Sequence, residues 1–295
     1  MDRVKPGLGF VHIIEGDIVR SDGTTNSGAD DILGIAAILI ILEELQTASS
    51  HRPIYAIFTV EEEVGATHGA KLVDLESLGT DEGIIIDNAF PEAGVMVDRG
   101  SNLVWALTTI TGKSGHSGKD LGQVINAFVP VLESGIKPGS YNDDQTRLNI
   151  GSVTISPGLG NATPGEVTML TEFRSFLPEA ELTHFITDTF AQMTQKADAI
   201  GATIVTELNV YCKSYIVDTA EPLVQAYSAV LAARGASLES RPTFVGSDAN
   251  SFRARGLKAI VLSTGACNEH TLNEYFDVKG ITQLTVDLMA MLQTY

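Results

Sequence analysis

IYAIFTVEEEVG, at residues 54–65, is the stretch on which our interpretation of the fold depends. Six of its first seven residues are apolar or aromatic, and Pro53 stands directly before them. An apolar run of this length without polar alternation is typical of a strand that is buried on both faces of a parallel sheet. We therefore predict a buried strand over residues 54–60 that ends on three consecutive acids.

The three acids, Glu61, Glu62 and Glu63, follow that strand directly. In open α/β sheets, binding sites form at the carboxyl ends of the strands. Neighbouring carboxylates repel one another, so a cleft that gathers three of them requires a cation or a proton. The alternative is a solvated acidic turn between a strand and a helix, and the stretch alone leaves both interpretations open.

The length and composition restrict the class of protein. A chain of 295 residues with 44% apolar residues predicts two domains with substantial cores. The formal net charge of -18 disfavours nucleic acid and anionic membranes as partners. The longest apolar run, residues 35–42, is too short to span a bilayer, and we find no apolar signal segment after Met1. Cys212 and Cys267 make no disulfide framework, and we expect a cytoplasmic location.

The order of the remaining elements predicts an α/β fold. Helices that alternate with apolar strands are typical of a doubly wound, mostly parallel sheet that is covered on both faces. The first helix should be buried against this sheet, because residues 35–42 are apolar all round. The predicted elements are a hairpin within residues 11–20, helices at 32–46, 66–78, 221–233, 248–255 and 279–292, and strands at 54–60, 83–87 and 258–263.

The sequence between residues 100 and 212 has a different pattern. Strand-like segments at 103–111, 148–155, 167–174 and 203–211 alternate with helical patterns at 121–132 and 182–200. The resulting β-α-β-β-α-β order is that of the split βαβ sandwich. We therefore predict that residues 100–212 form an α+β domain, inserted into a first domain made of residues 1–99 and 213–295.

Candidate metal ligands stand at the ends of several predicted elements. Asp30 precedes the first helix, Glu62 and Glu63 follow one strand, Asp87 follows another, and His270 lies in the loop after a third. A doubly wound sheet places such positions along one edge. Carboxylates with histidine suit zinc, manganese or cobalt, and a site rich in carboxylates suits two metals with a spare acid as general base. Each residue also has a simpler interpretation as a helix cap, an ordinary strand-end acid or a surface histidine.

Four motifs resemble those of the M20 metallopeptidases, most closely the peptidase T-like branch of tripeptide aminopeptidases. The likeness follows the family's order through nearly the whole chain. It implies a zinc-exopeptidase-like fold with an inserted lid domain. The motifs are GADD at residues 28–31 with Gly34, FTVEEEVG at 58–65, GKSGHSG at 112–118 and GSDAN at 246–250.

The resemblance also implies roles for individual residues. Asp30 would bridge two zinc ions, and Glu62 would be the catalytic base. Glu63 and His270 would hold one ion together with Asp30. Asp87 would hold the other ion, again with Asp30.

The resemblance extends to residues of the inserted domain. His116 would be a catalytic residue that polarises the scissile carbonyl or stabilises its oxyanion. Asn161, in NATP at residues 161–164, and Arg174, in EFRS at 172–175, match positions that bind substrate. Without the resemblance, His116 would be interpreted as part of a flexible turn and Arg174 as a charge at a strand edge.

The beginning of the chain departs from the family pattern. Members carry a His-x-Asp segment in which the histidine binds metal and the aspartate orients it. Here Asp2 would be the orienting catalytic acid, and the position of the histidine would fall just before Met1. We therefore expect one tightly bound metal, held with Glu63 and His270, where the family site has two.

The expected function is metal-dependent hydrolysis of short peptides, of the aminopeptidase type. A metal-bound hydroxide would attack the peptide carbonyl, and Glu62 would pass its proton to the leaving amine. The alternatives are amidohydrolysis of an N-acyl amino acid and a catalytically impaired form that only binds peptides. Short peptides are the expected partners, and the formation of a homodimer is left open.

Overall fold

The computed structural model describes residues 7–63, 68–87, 90, 92–120 and 122–295. The chain divides into two compact units. Unit 1 comprises Met1–Gly100 and Tyr215–Tyr295, and unit 2 comprises Ser101–Ser214. These boundaries lie one and two residues from the predicted ones. Within the described part of the chain, no helix is both long enough and apolar enough to cross a membrane.

Helices and strands are interspersed along the chain, and unit 2 contains β5 to β9 with α4 and α5. In chain order they are β1 (His12–Glu15), β2 (Ile18–Ser21), α1 (Ala29–Leu45), α2 (His68–Leu72), α3 (Leu75–Leu78), β3 (Glu82–Ile86), β4 (Val95–Gly100), β5 (Asn102–Thr111), α4 (Val129–Glu133), β6 (Gly139–Tyr141), β7 (Thr146–Ser156), β8 (Glu166–Ser175), α5 (Glu179–Ile200), β9 (Thr203–Cys212), β10 (Tyr215–Ile216), α6 (Pro222–Ala233), β11 (Glu239–Thr243), α7 (Asp248–Ala254), β12 (Lys258–Leu262), β13 (Ala266–Cys267), β14 (Tyr275–Asp277) and α8 (Val278–Thr294).

The larger sheet of unit 1 has the order β10-β4-β12-β3, and β11 also pairs with β4. β12 runs parallel to β3 with Leu262 opposite Ile86, and β11 runs parallel to β4. β4 is antiparallel to both β12 and β10. The α/β class is confirmed, and the described sheet combines parallel with antiparallel pairs. Because β3 and β12 end side by side, Asp87 and the loop after β12 emerge at the same edge of the sheet.

The core of unit 1 lies between this sheet and its helices. Leu284, Leu288 and Met291 recur along α8 at helical spacing and are fully buried. They belong to one cluster with Tyr227 of α6 and Leu262 of β12. Burial of each such side chain contributes about 1.5–3 kcal/mol, so this cluster fixes the strands that carry the site.

The prediction of a buried strand at residues 54–60 is wrong. These residues are described, and they belong to no strand of the described structure. The side chains of Tyr55, Phe58 and Val60 are 55%, 49% and 67% exposed. An apolar sequence forms a strand only where a neighbour completes its hydrogen-bond ladder, and β3, at the edge of the described sheet, forms its ladder with β12.

Two predicted helices also differ from the structure. Helix α1 has the expected position, but Leu39 and Ile40 are about half exposed, so it is buried only along the face of Ala37, Ile41 and Leu45. The helix predicted at 66–78 is divided, over its described residues, into α2 and α3. The break has a local cause, because the Asp74 side chain caps α3 by accepting a hydrogen bond from the Ser77 amide.

A second, smaller sheet of unit 1 has the order β1-β2-β14-β13. The predicted hairpin is confirmed as β1 and β2, with His12 opposite Ser21. β14 pairs with β2 and with β13, so the loop at residues 268–274 is anchored at both ends. This loop carries His270.

Unit 2 is the predicted split βαβ sandwich with one additional strand. Its antiparallel sheet has the order β6-β7-β8-β5-β9, and Phe173, Met169 and Met193 are fully buried between the sheet and α5. The helix predicted at 121–132 is wrong for most of its described length, since α4 begins at Val129. Ile125 instead exchanges two backbone hydrogen bonds with Lys113, which occupy the groups a helix would use.

Candidate metal centre

Three segments of unit 1 bring together Asp30, Glu63 and His270. Asp30 lies at the beginning of α1, where its backbone angles are not yet helical. Glu63 follows the stretch 54–60, and His270 lies in the loop between β13 and β14 with a positive φ of 60°. The side chains of Asp30 and Glu63 are each 16% exposed, and that of His270 is 60% exposed. The site is therefore partly open, with two half-buried carboxylates and an accessible imidazole.

The distances within this group fit a tetrahedral metal. His270 Nε2 lies 3.1 Å from Asp30 Oδ2 and 3.4 Å from Glu63 Oε2. One potential ligand atom from each of the three residues lies within 4.8 Å of the others. Bonds of about 2.0–2.2 Å to zinc place the ligands of a tetrahedron about 3.3–3.6 Å apart. The spacing and the N/O donor set therefore suit zinc without large rearrangement.

The electrostatics of Asp30 reflect both burial and His270. Burial raises the pKa of the Asp30 carboxyl above its ordinary value, and the charge and hydrogen bond of His270 act in the opposite direction. Only a protonated His270 offsets the negative charge of Asp30, whereas a bound cation would offset that charge whether or not His270 is protonated.

Next to this group, Asp31, Glu62, Asp87 and Asp248 form what we call the carboxylate group. Burial, followed by the charge of Asp87, raises the pKa of Asp31 and of Glu62 to about 9. Burial, with the charges of Asp30, Glu63 and Asp248, raises the pKa of Asp87 to about 8. These acids lie within electrostatic reach of one another and of Asp30, as expected from the edge position of Asp87.

Asp248 belongs to this group although the sequence analysis assigned it no role. It is 7% exposed and begins α7, where Ser247 is the cap. The Thr59 hydroxyl donates a hydrogen bond to its Oδ2, and its Oδ1 has no hydrogen-bond partner among the described residues. Burial raises its pKa. The signal was present in the sequence as the acid of the GSDAN motif.

Glu274 is the second residue that the sequence analysis missed. It is fully buried, and its carboxylate accepts hydrogen bonds from the Gly28 amide at 2.6 Å and the Asp30 amide at 3.1 Å. The only sequence signal was an acid four residues after His270 in a polar loop.

Two of the candidate residues in unit 2 lie beside each other. His116 forms a β-bridge with Ala162, and the Ser117 amide donates to the Asn161 carbonyl oxygen at 3.0 Å. The Gly118 amide donates to His116 Nδ1 at 3.1 Å. Because Nδ1 accepts, the neutral imidazole carries its proton on Nε2, which is then a hydrogen-bond donor.

Arg174 lies on β8 at the same sheet face as Glu172. Its Nε donates to Glu172 Oε1 at 2.8 Å, and Trp105 Nε1 donates to Glu172 Oε2 at 3.0 Å. These contacts hold the guanidinium in place within unit 2. Asp2, the predicted orienting acid, lies outside the described residues.

The chain resembles proteins of known and unknown activity over nearly its whole length. It is 27% identical to the uncharacterized protein YqjE of Bacillus subtilis, a match that covers 99% of this chain and 78% of that protein. It is 25% identical to peptidase T of Haemophilus influenzae, with 94% of this chain and 67% of that protein covered.

Solved structures give the same result. The aminopeptidase PepT of Bacillus cereus superposes with a TM-score of 0.86, and a tripeptidase of Staphylococcus aureus with 0.89. Each is 25% identical, and each match covers 99% of this chain and 78% of the other. Residues 27–294 match the peptidase family M20/M25/M40. The chain is therefore a member of peptidase family M20/M25/M40, of the peptidase T-like type that its motifs resemble, and a hydrolase of the exopeptidase class.

Proposed function

We propose that this protein removes the N-terminal residue from short peptides in a metal-dependent reaction. The observation that carries the proposal is the convergence of Asp30, Glu63 and His270, with ligand atoms within 4.8 Å, beside the carboxyl of Glu62. The names of its relatives, peptidase T, aminopeptidase and tripeptidase, support short peptides as the substrate class.

Asp30, Glu63 and His270 would hold the metal in this proposal. Zinc fits their donor set best, and manganese and cobalt accept the same ligands. A divalent cation at this position would act as a Lewis acid toward the substrate carbonyl and would favour the ionised form of Glu62.

Glu62 is the proposed general base. It is half-buried, adjacent in sequence to a ligand, and close enough to Asp30, Glu63 and Asp87 for their charges to raise its pKa. Such a carboxyl accepts a proton readily once it is ionised. It would take the proton of the attacking water and return it to the leaving amine.

Unit 2 would serve as the lid predicted from the sequence. His116 would donate through Nε2 to the oxygen of the scissile carbonyl as charge develops on it. Arg174 would bind a carboxylate of the peptide, since a guanidinium matches that group with paired hydrogen bonds, and Asn161 would add a polar contact. A cytoplasmic location remains part of the proposal.

The test is turnover of three matched substrates by the purified protein. A tripeptide with a free amine, the same peptide with an acetylated amine, and an N-acyl amino acid are incubated with zinc, manganese, cobalt or a chelator. We expect hydrolysis of the free tripeptide alone, and its loss with the chelator.

Variants of two histidines make the test specific. His270→Ala should lose the chelator-sensitive activity, and His184→Ala should retain it, because His184 pairs with Asp188 on α5 of unit 2. Hydrolysis of only the N-acyl amino acid would assign the amidohydrolase alternative. Peptide binding without any turnover would assign the impaired form.

A further inference from the structure

The loop at residues 268–274 reaches the beginning of α1 at two points. His270 Nε2 contacts the Asp30 side chain at 3.1 Å. Four residues later, Glu274 Oε2 accepts from the Gly28 amide at 2.6 Å and Oε1 accepts from the Asp30 amide at 3.1 Å. The same loop therefore holds both the side chain and the backbone of Asp30.

The turn before α1 requires such a partner. Gly28, the N-cap residue of α1, is left-handed with φ 73°, and Asp30 has non-helical angles, so the chain enters α1 through an irregular turn. The first amides of any helix lack intrahelical acceptors. Glu274 satisfies two of them with one carboxylate, and hydrogen bonds to an ionised acceptor are stronger than neutral ones.

Glu274 is itself held rigidly. It is fully buried, its amide donates to the Thr271 carbonyl oxygen at 3.3 Å, and Tyr275 directly after it pairs with Arg20 of β2. The Glu274 backbone is thus anchored, and its carboxylate links this anchored segment to the amides of Gly28 and Asp30.

We propose that Glu274 is a positioning residue for the metal centre, which presets the backbone of Asp30 so that its carboxylate lies within ligand distance of His270 and Glu63. This inference rests on the proposed function, because Asp30 is taken as a metal ligand. Residues that orient metal ligands typically contribute 10- to 100-fold to metal affinity.

The first test compares zinc affinity in Glu274→Gln, Asp277→Asn and the wild type by competition with a chromophoric chelator. Gln keeps the size of the side chain but presents a donor to one of the two amides. We expect zinc affinity to fall about 10- to 100-fold. Asp277→Asn is the matched control, because Asp277 lies three residues away and accepts from the Lys279 amide, not from the turn before α1.

The second test measures hydrogen exchange of the Gly28 and Asp30 amides in the metal-free protein. We expect both amides to be protected in the wild type and to exchange about 10-fold faster or more in Glu274→Gln. A buried acid with only a general structural role would lower the melting temperature without a selective effect on these two amides or on zinc affinity. Unprotected wild-type amides would overturn the inference even if the variant failed to fold.

The outcomes separate this inference from the proposed function. Wild-type protein that binds zinc more tightly than Glu274→Gln but hydrolyses no peptide would refute the function and support the positioning role. Active protein whose zinc affinity is equal in the wild type and in Glu274→Gln would refute the positioning role and leave the function intact.

Discussion

Unit 1 contains two neighbouring sets of acids: the first set is Asp30 and Glu63, and the second is the carboxylate group. The first set lies beside a histidine. Asp30 and Glu63 face His270 at 3.1 and 3.4 Å. In the carboxylate group, every charge that acts on Glu62 is another acid, and its pKa rises to about 9. The comparison shows that the first set has a histidine beside it, whereas burial and neighbouring acids raise the pKa values of Asp31, Glu62 and Asp87, so these carboxyls retain protons at neutral pH when no cation is bound.

The largest effect should come from Glu62, the member of the carboxylate group that is adjacent in sequence to Glu63. Glu62→Gln should lower the turnover of a tripeptide by about 10²- to 10⁴-fold, because a general base contributes this much. The zinc content should not change. Turnover and zinc content are measured together, and Glu61→Gln is the control, since Glu61 is exposed and contacts His68. Loss of zinc in Glu62→Gln would exchange the roles of Glu62 and Glu63.

The second prediction concerns which set binds the metal. We expect one tightly bound equivalent of zinc per chain, measured by mass spectrometry after dialysis. His270→Ala should weaken it by more than about 100-fold, since a direct ligand contributes more than the residues that orient it. Asp87→Asn should retain it. Two tight equivalents in the wild type would show that the carboxylate group also forms a metal site.

The third prediction is the pH dependence of stability without metal. The pKa values of Asp31 and Glu62 rise to about 9 and that of Asp87 to about 8. The folded state thus binds more protons than the unfolded state above the ordinary carboxyl pKa of about 4, so stability falls as pH rises from about 4 to about 9. Thermal unfolding in a chelator should show this fall between pH 5 and pH 9, and Glu62→Gln should make it shallower. Stability that increases over this range would contradict the comparison.

The smallest expected effect concerns Asp248. Asp248→Asn removes one charge that raises the pKa values of Glu62 and Asp87. At pH 8 without metal, the melting temperature should rise by on the order of 2 °C. The zinc affinity of the Asp30 set should be unchanged. Asp188→Asn, at an exposed acid of α5, is the control. An equal shift of the melting temperature in both variants would show that Asp248 does not interact with Glu62 and Asp87.

The strands of unit 2 were predicted from the sequence more accurately than those of unit 1. Strands β5, β7, β8 and β9 pair with one another within one continuous stretch of chain. Each strand therefore finds its pairing partners among segments that have the same strand-like pattern. Residues 54–60 have an equally strong apolar pattern, but the described structure gives them no ladder partner. Whether residues 54–60 form a strand depends on a neighbouring strand with which they can pair, and the apolar pattern of the segment does not show whether such a strand is present.

The site shows the same division. Asp30, Glu63 and His270 were predicted because a metal centre needs particular side chains in recognisable motifs, and the structure places these three together. Glu274 and Asp248 act through a backbone turn and through long-range charge. Such roles depend on distances between segments that lie hundreds of residues apart in the chain, and local sequence does not encode those distances.

The insertion of unit 2 has a consequence for how the protein is made. Asp30 and Glu63 precede unit 2 in the chain, whereas His270 and Glu274 follow it. All of unit 2, residues 101–214, is therefore synthesised before His270 and Glu274. Under the proposed function, zinc held by Asp30, Glu63 and His270 would stabilise the chain only after residue 270 has been synthesised.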